Sequence, residues 1–194
     1  MKKYYIANPF PYINHGITNY VNSSLNILRA SGLDAYEIIN EEKKFNRVDF
    51  AKKIEGSCRG NIVEIPDTHG MFPNGSSILD LHVRLHAPIL QLEKLNQKKL
   101  SKERFFRELS TIKKSRLISS PTLANTFAYH ENGLDRDVRV LNFPNPLHID
   151  FDKVKNNKKD IDIVFIARFE RLKGIDLFVQ FLCHLPKEVK VVLL

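Results

Sequence analysis

Apolar and polar positions follow two rhythms along this chain, and the rhythms themselves alternate. Lys3 to Ala7 reads as a first strand. After a Pro/Asn/Gly loop from Asn8 to Gly16, Ile17, Tyr20, Val21, Leu25 and Leu28 recur at helical spacing until Gly32, a natural helix C-cap. Ala35 to Ile39 predicts a second strand, Val48 to Ile54 a short helix, and Asn61 to Ile65 a third strand ahead of a long loop through His69, Gly70 and Gly75. From Leu79 to His86 the period is two: Leu81, Val83 and Leu85 alternate with His82, Arg84 and His86. On a helix, His82 and His86 would face one way and could share a metal. The alternation predicts a strand instead, and without further ligands a zinc site is not expected there.

Two helical patterns follow. Ile89, Leu92 and Leu95 line the first; Ser101 caps the second, which carries Phe105, Phe106, Leu109 and Ile112 on one side. Arg116 to Ser119 predicts a strand, Thr122 to Glu131 a helix ending at Gly133, and Val138 to Phe143 another strand. Asn142 to Pro146 breaks the pattern, and Leu147 to Asp160 is polar and lysine-rich with no apolar period. The strand–helix–strand rhythm then restarts, with a strand from Ile161 to Ala167, a helix from Ile175 to Leu185 and a strand from Val189 to Leu194. Alternation of this kind implies an α/β fold with a doubly wound, mostly parallel sheet. The expected organisation is a domain over residues 1–146, a linker over 147–160 and the start of a second domain over 161–194.

Charge changes the picture at one place. The net charge is +8, and from Arg84 to Arg116 ten basic residues face three acidic ones. Such a segment is either a solubilising face or a surface for an anionic partner, whether headgroups, an acidic acceptor or nucleic acid. Cys58 and Cys183 lie too far apart in sequence for a CxxC motif, and Cys183, among Phe178, Phe181 and Leu182, is expected to be a small buried hydrophobe. The apolar run at the N-terminus breaks at Asn8-Pro9, short of a secretory segment, and no run approaches the ~20 residues of a spanning helix.

The chain carries no GxGxxG after its first strand, no Walker A sequence, no GxSxG elbow and no HExxH. Those absences weigh against a dinucleotide oxidoreductase, a P-loop enzyme, an α/β-hydrolase and a zinc protease. The stretch from Ile161 to Asp176 does carry chemistry: an apolar strand stops at Arg168, and Lys173-Gly174 open the next helix. Two cations and a helix N-terminus aimed at one point outline a phosphate site. On residues alone, solvated loop cations explain Arg168 and Lys173 about as well.

Three stretches together resemble glycosyltransferase family 4, nucleotide-sugar enzymes of GT-B fold. His15-Gly16-Ile17-Thr18-Asn19-Tyr20-Val21, ending in Arg29-Ala-Ser-Gly32, resembles the family's glycine loop and first helix, with His15 where a second glycine is usual. Arg116-Leu-Ile-Ser-Ser120 and Val140-Leu-Asn-Phe-Pro-Asn-Pro146 resemble its last elements before the hinge, and Ala167-Arg168 with Lys173-Gly174 resembles its donor-phosphate motif. The resemblance implies a Rossmann-like acceptor-side domain and the start of a donor-binding domain whose nucleotide pocket and paired glutamates would lie beyond Leu194. The 194 residues alone are therefore expected to be inactive.

By the same resemblance, Arg168 and Lys173 would neutralise the donor diphosphate, and Gly16 would offer N–H groups to it from across the cleft. Departure of a nucleoside diphosphate builds charge on the leaving oxygen, so such cations favour the transition state over the ground state. His86 matches the family's histidine on the acceptor side and would hydrogen-bond the transferred sugar. His15, Asp67 and His69 are further acceptor-side candidates. No metal or other cofactor is implied. The expected partners are a nucleotide-sugar donor, a glycan or lipid-linked acceptor and an anionic membrane surface. The expected location is the cytoplasm, peripheral on the inner face of the membrane. A non-catalytic Rossmann-like binding module is the alternative. A nucleic-acid-binding protein fits less well, because Phe105 and Phe106, the only aromatics in the basic segment, suit a buried stripe.

Overall fold

A computed structural model describes residues 2–11, 16–42, 44–66, 80–86, 89–90, 93, 99, 101–135, 137–146, 160–167 and 173–194. These residues form an α/β structure in two compact units. The first unit contains β1 (Tyr4–Asn8), α1 (Gly16–Ala30), β2 (Ala35–Ile39), α2 (Arg47–Ser57), β3 (Ile62–Ile65), β4 (Asp80–Arg84), α3 (Lys102–Lys113), β5 (Leu117–Ser120), α4 (Leu123–Glu131) and β6 (Val140–Asn142). Its six strands pair in the order β2-β1-β3-β4-β5-β6, every pair parallel. This is a Rossmann-like arrangement. The second unit contains β7 (Ile163–Phe165), α5 (Ile175–Leu182) and β8 (Val191–Leu193), with β7 and β8 paired in parallel.

The helix ends follow from local chemistry. Asn46, Ser101 and Thr122 cap α2, α3 and α4, each accepting a backbone N–H of the first turn. Helix α1 ends in a Schellman turn: Gly32 N–H bonds Arg29 O at 2.9 Å, Leu33 N–H bonds Leu28 O at 3.0 Å, and Gly32 supplies the required φ of 79°.

Strand register sorts the side chains onto two unlike faces. Tyr5, Val63 and Leu81 are cross-strand neighbours, as are Val83, Ile118 and Val140, and this apolar face packs against Phe50 and Ile54 of α2, Phe105 and Ile112 of α3 and Tyr129 of α4. The opposite face sets Ile6 beside Glu64, Glu64 beside His82 and Arg84 beside Ser119, with α1 packed on Ile6 and Ala35. A parallel strand covered on both faces normally reads as a continuous apolar run. Here the period of two survives because the second face is buried and polar.

Several expectations change. The β4 strand ends at Arg84, so His86 lies two residues past it rather than closing it. The other described strands and helices shift by a few residues at most, and most of the helix expected to carry Ile89, Leu92 and Leu95 lies outside the described residues. Phe106 is 61% exposed while Phe105 and Leu109 are buried, so Phe106 leaves the predicted stripe and Phe105 and Leu109 pack in the core. Arg84, counted in the basic segment, is fully buried and contributes nothing to surface charge. Cys183 is exposed, because α5 buries none of its residues. Leu92 and Leu95 lie outside the described residues. Among the described residues, no helix is long and apolar enough to cross a membrane.

Candidate functional site

In an open parallel sheet, ligands bind beyond the carboxyl ends of the strands where the strand order reverses. Here that point lies between β1 and β3, since β1 is followed by β2 on one side and by β3 on the other. Gly16 opens α1 at this edge, and Tyr20, one turn further on, sets its ring edge-on to His86 with centroids 4.3 Å apart. Two residues singled out from sequence, Gly16 and His86, thus belong to one region.

The His86 ring is largely enclosed, and its Nε2 has no hydrogen-bond partner among the described residues. Burial pushes its pKa down from the usual value to about 4; the nearby Arg84 charge adds to the shift and Glu64 opposes it. The imidazole is therefore neutral at pH 7. The neutral ring keeps an unused hydrogen-bonding nitrogen, but that atom is itself closed to solvent, so a ligand hydroxyl meets it only if the groups around it part.

Beneath His86 runs a polar network that sequence reasoning did not assemble. Glu64 Oε2 accepts the Tyr4 hydroxyl at 2.6 Å and lies 3.0 Å from His82 Nδ1, while Glu64 Oε1 accepts the Tyr20 hydroxyl. His82 Nε2 meets Ser119 Oγ at 2.7 Å, and Arg84 Nη1 donates to the same oxygen at 3.2 Å. Burial works against the Glu64 charge, yet hydrogen bonds and charge from His82, with the hydroxyls of Tyr20 and Tyr4, hold the carboxyl below its ordinary range. Both tyrosine hydroxyls are pushed well upward, by burial first and by the Glu64 charge second.

Hydroxyl, imidazole and carboxylate in this order have the spacing of an acyl-transfer triad. Ser119 is fully buried, however, and Arg84 donates into its oxygen, so no substrate reaches the hydroxyl. The network's output is structural. Arg84 Nη2 donates to Phe143 O and to Asn145 Oδ1, each at 2.9 Å, and the guanidinium lies 4.1 Å from the Phe143 ring centre and 5.3 Å from that of Tyr20. One buried cation thereby ties the chain leaving β6 to α1 and the middle of the sheet. A cavity of about 230 Å³ opens beside it, between α1 and Phe143–Pro146, with Glu64 and His82 in its wall. The signal in sequence was present: a glutamate inside Ile62-Val-Glu-Ile65, with a histidine and an arginine in alternate positions of β4, is expensive to bury unless these groups meet.

Lys173 is exposed and stands in a short turn before Gly174 in the second unit. His15, Asp67, His69 and Arg168 lie outside the described residues. Among the described residues, no cluster of three or more histidine, cysteine, aspartate or glutamate side chains could hold a metal ion. Comparison with known proteins adds no identity: no protein family, curated protein or solved structure matches this chain.

Proposed function

We propose that this chain is the acceptor-side domain, with the opening βαβ element of the donor-side domain, of a retaining glycosyltransferase of GT-B fold. The observation that supports the reading is that α1, which Gly16 opens beside the strand-order reversal, sets Tyr20 against His86, a neutral ring whose enclosed Nε2 is unpaired among the described residues. The α1 N-terminus supplies backbone N–H groups suited to a phosphate, and His86 supplies an uncharged hydrogen-bonding group suited to a sugar hydroxyl. Lys173, with Arg168, neutralises the leaving diphosphate. The burial of Arg84 favours this reading over a nucleic-acid surface, since it removes a cation from the basic segment.

The test is binding, which needs no acceptor and no turnover. Saturation-transfer NMR with uridine and guanosine diphosphates and their sugars should detect one nucleotide class. Lys173→Ala and Arg168→Ala should each weaken it by roughly tenfold, the scale of one lost charge-assisted contact. His86→Asn should weaken the sugar conjugate but not the bare diphosphate. Absence of nucleotide binding at millimolar concentration, or binding indifferent to all three substitutions, would leave the binding-module reading in its place.

A further inference from the structure

A second recess opens on the other side of the carboxyl rim. Its volume is about 280 Å³, and it is lined by Phe10, Phe45, Arg47, Ile89, Arg104 and Glu108. The six residues come from four separate parts of the chain. Phe10 follows β1, Phe45 and Arg47 bracket the start of α2, Ile89 lies three residues beyond His86, and Arg104 and Glu108 stand on the first turns of α3. Rings and charges are sorted within it. Phe10 and Phe45 meet with centroids 5.0 Å apart at 58°, and Phe45 leans on Phe50 of the core, which fixes the pair.

The cations are set differently. Arg104 reaches Glu93 Oε1 only at 3.5 Å and stays half exposed. Glu108 is buried and accepts the Ile89 N–H at 3.1 Å, so its charge is engaged with the wall. A separate shallow hollow of about 510 Å³, bordered by Glu42, Lys44, Asn46 and Val48, shares Phe45 and Arg47 with it. The recess is an aromatic floor with guanidinium groups at its edge.

We infer that this recess seats the acceptor, and that the acceptor is an acidic saccharide, its ring on Phe10 and Phe45 and its carboxylate or phosphate held by Arg47 and Arg104. Aromatic faces bury the C–H surface of a sugar ring without demanding hydrogen bonds from it. Guanidinium is the side chain suited to forked recognition of carboxylate or phosphate. A neutral saccharide would make no use of the two guanidinium groups in the lining. A bare anion would leave the rings uncovered. The inference rests on the transferase reading for the word acceptor, but the recess and its chemistry stand apart from the donor site.

The experiment titrates the 194-residue chain with glucuronate, glucose 6-phosphate, glucose and inorganic phosphate, following chemical shifts by NMR. Glucuronate or glucose 6-phosphate should bind at least tenfold more tightly than glucose and than phosphate, and whichever is tighter identifies the anion. Arg47→Gln with Arg104→Gln should erase the preference for the charged sugar, and Arg47→Lys with Arg104→Lys should restore only part of it. Phe45→Leu should weaken both sugars while sparing phosphate, with circular dichroism showing each variant folded. Equal affinity for glucose and glucuronate, or phosphate binding as tightly as the sugar phosphate, would overturn the inference. Nucleotide binding by this chain with no preference for the acidic sugar would overturn the inference and leave the transferase reading intact. Acidic sugar bound at this recess without any nucleotide binding would do the reverse.

Discussion

The two units are built from the same strand–helix–strand rhythm and reach opposite degrees of burial. In the first, six strands expose two faces to cover, and the helices bury Ile54, Ile112 and Tyr129 completely. In the second, α5 carries a broad apolar face, with Asp176 and Gln180 together on the other side, yet none of its residues is buried; Leu177 is 66% exposed. Its chief packing is one stacked pair, Phe165 on Phe178 at 4.4 Å. So broad an apolar face needs partners across its whole width, and the ring of Phe165 on β7 meets part of it. Pattern specifies an element; burial depends on how many neighbours arrive to use the pattern. A single βαβ element therefore looks sound in sequence and stays open in structure.

The sharpest way to break this comparison uses the two cysteines. Cys58 is enclosed in the first unit's core, and burial pushes its thiol up to about 11, whereas Cys183 is exposed at the end of α5. Thiolate character and access both set the rate of alkylation. Under native conditions Cys183 should label at least about a hundredfold faster than Cys58, because Cys58 must wait for an opening of the core. Equal rates, followed by mass spectrometry of peptides, would mean that the first unit is no better packed than the second.

Next in size is Glu64→Ala. It strands Tyr4, Tyr20 and His82, whose hydrogen bonds converge on that carboxylate, and leaves Arg84 without its nearest buried anion. Removing one member of a buried ionic network costs about 3–5 kcal/mol. The first unit should lose that much in denaturant unfolding, while Phe178→Ala in the second should leave the main transition unmoved. A loss below about 1 kcal/mol for Glu64→Ala would show that the network is not what holds α1 and Phe143 to the sheet.

Legibility in the sequence divides along the same line. The parallel fold, the Schellman end at Gly32 and the caps at Ser101 and Thr122 follow from local rules, each acting over a few residues. His86 at the rim could also be anticipated, from a strand period and a following proline. What could not be read was the second buried face. Glu64, His82, Arg84 and Ser119 come from three strands, and only the register places Glu64 beside His82 and Arg84 beside Ser119. Charge counting likewise misassigned Arg84 to the surface, because a sum over a segment ignores which face each residue takes. The recess at Phe10, Phe45, Arg47 and Arg104 escaped for the same reason: it joins loops that are distant in sequence.

A pH series sharpens the comparison further. His86 titrates near 6.5 when unfolded and near 4 when folded, so protons favour the unfolded chain. Its contribution is present above pH 6.5 and is lost as pH falls toward 4, at a little over ~1 kcal/mol per pH unit and about 3 kcal/mol in all. The groups facing it are Tyr20, Arg84 and Glu64. Glu64 is held below its ordinary value of 4.5, so its own contribution is lost only below that pH, and the window from 6.5 to 4.5 is where the His86 contribution is read. Denaturation midpoints of the first unit should fall across that window. His86→Gln should flatten the fall. A slope unchanged in His86→Gln would place the titration elsewhere.

The smallest effects come from two glycines that each stand where a helix begins. Gly174 has φ of 76°, a conformation that costs any residue with a Cβ, although a Cβ there would meet nothing within 4 Å. Gly174→Ala should therefore destabilise the second unit by about 1 kcal/mol through the backbone alone. Gly16 has neither constraint: it lies outside the left-handed region, and its missing Cβ would also point into open space. An alanine there should leave stability unchanged or raise it by about 0.5 kcal/mol, since alanine is the better helix former. If folding does not need a glycine at position 16, the open space beside it is available to a ligand that approaches the first N–H groups of α1. Gly16→Ala should then weaken nucleoside diphosphate binding several-fold while the melting temperature holds or rises. A fall in melting temperature with unchanged binding would assign Gly16 to the turn and remove α1 from the phosphate site.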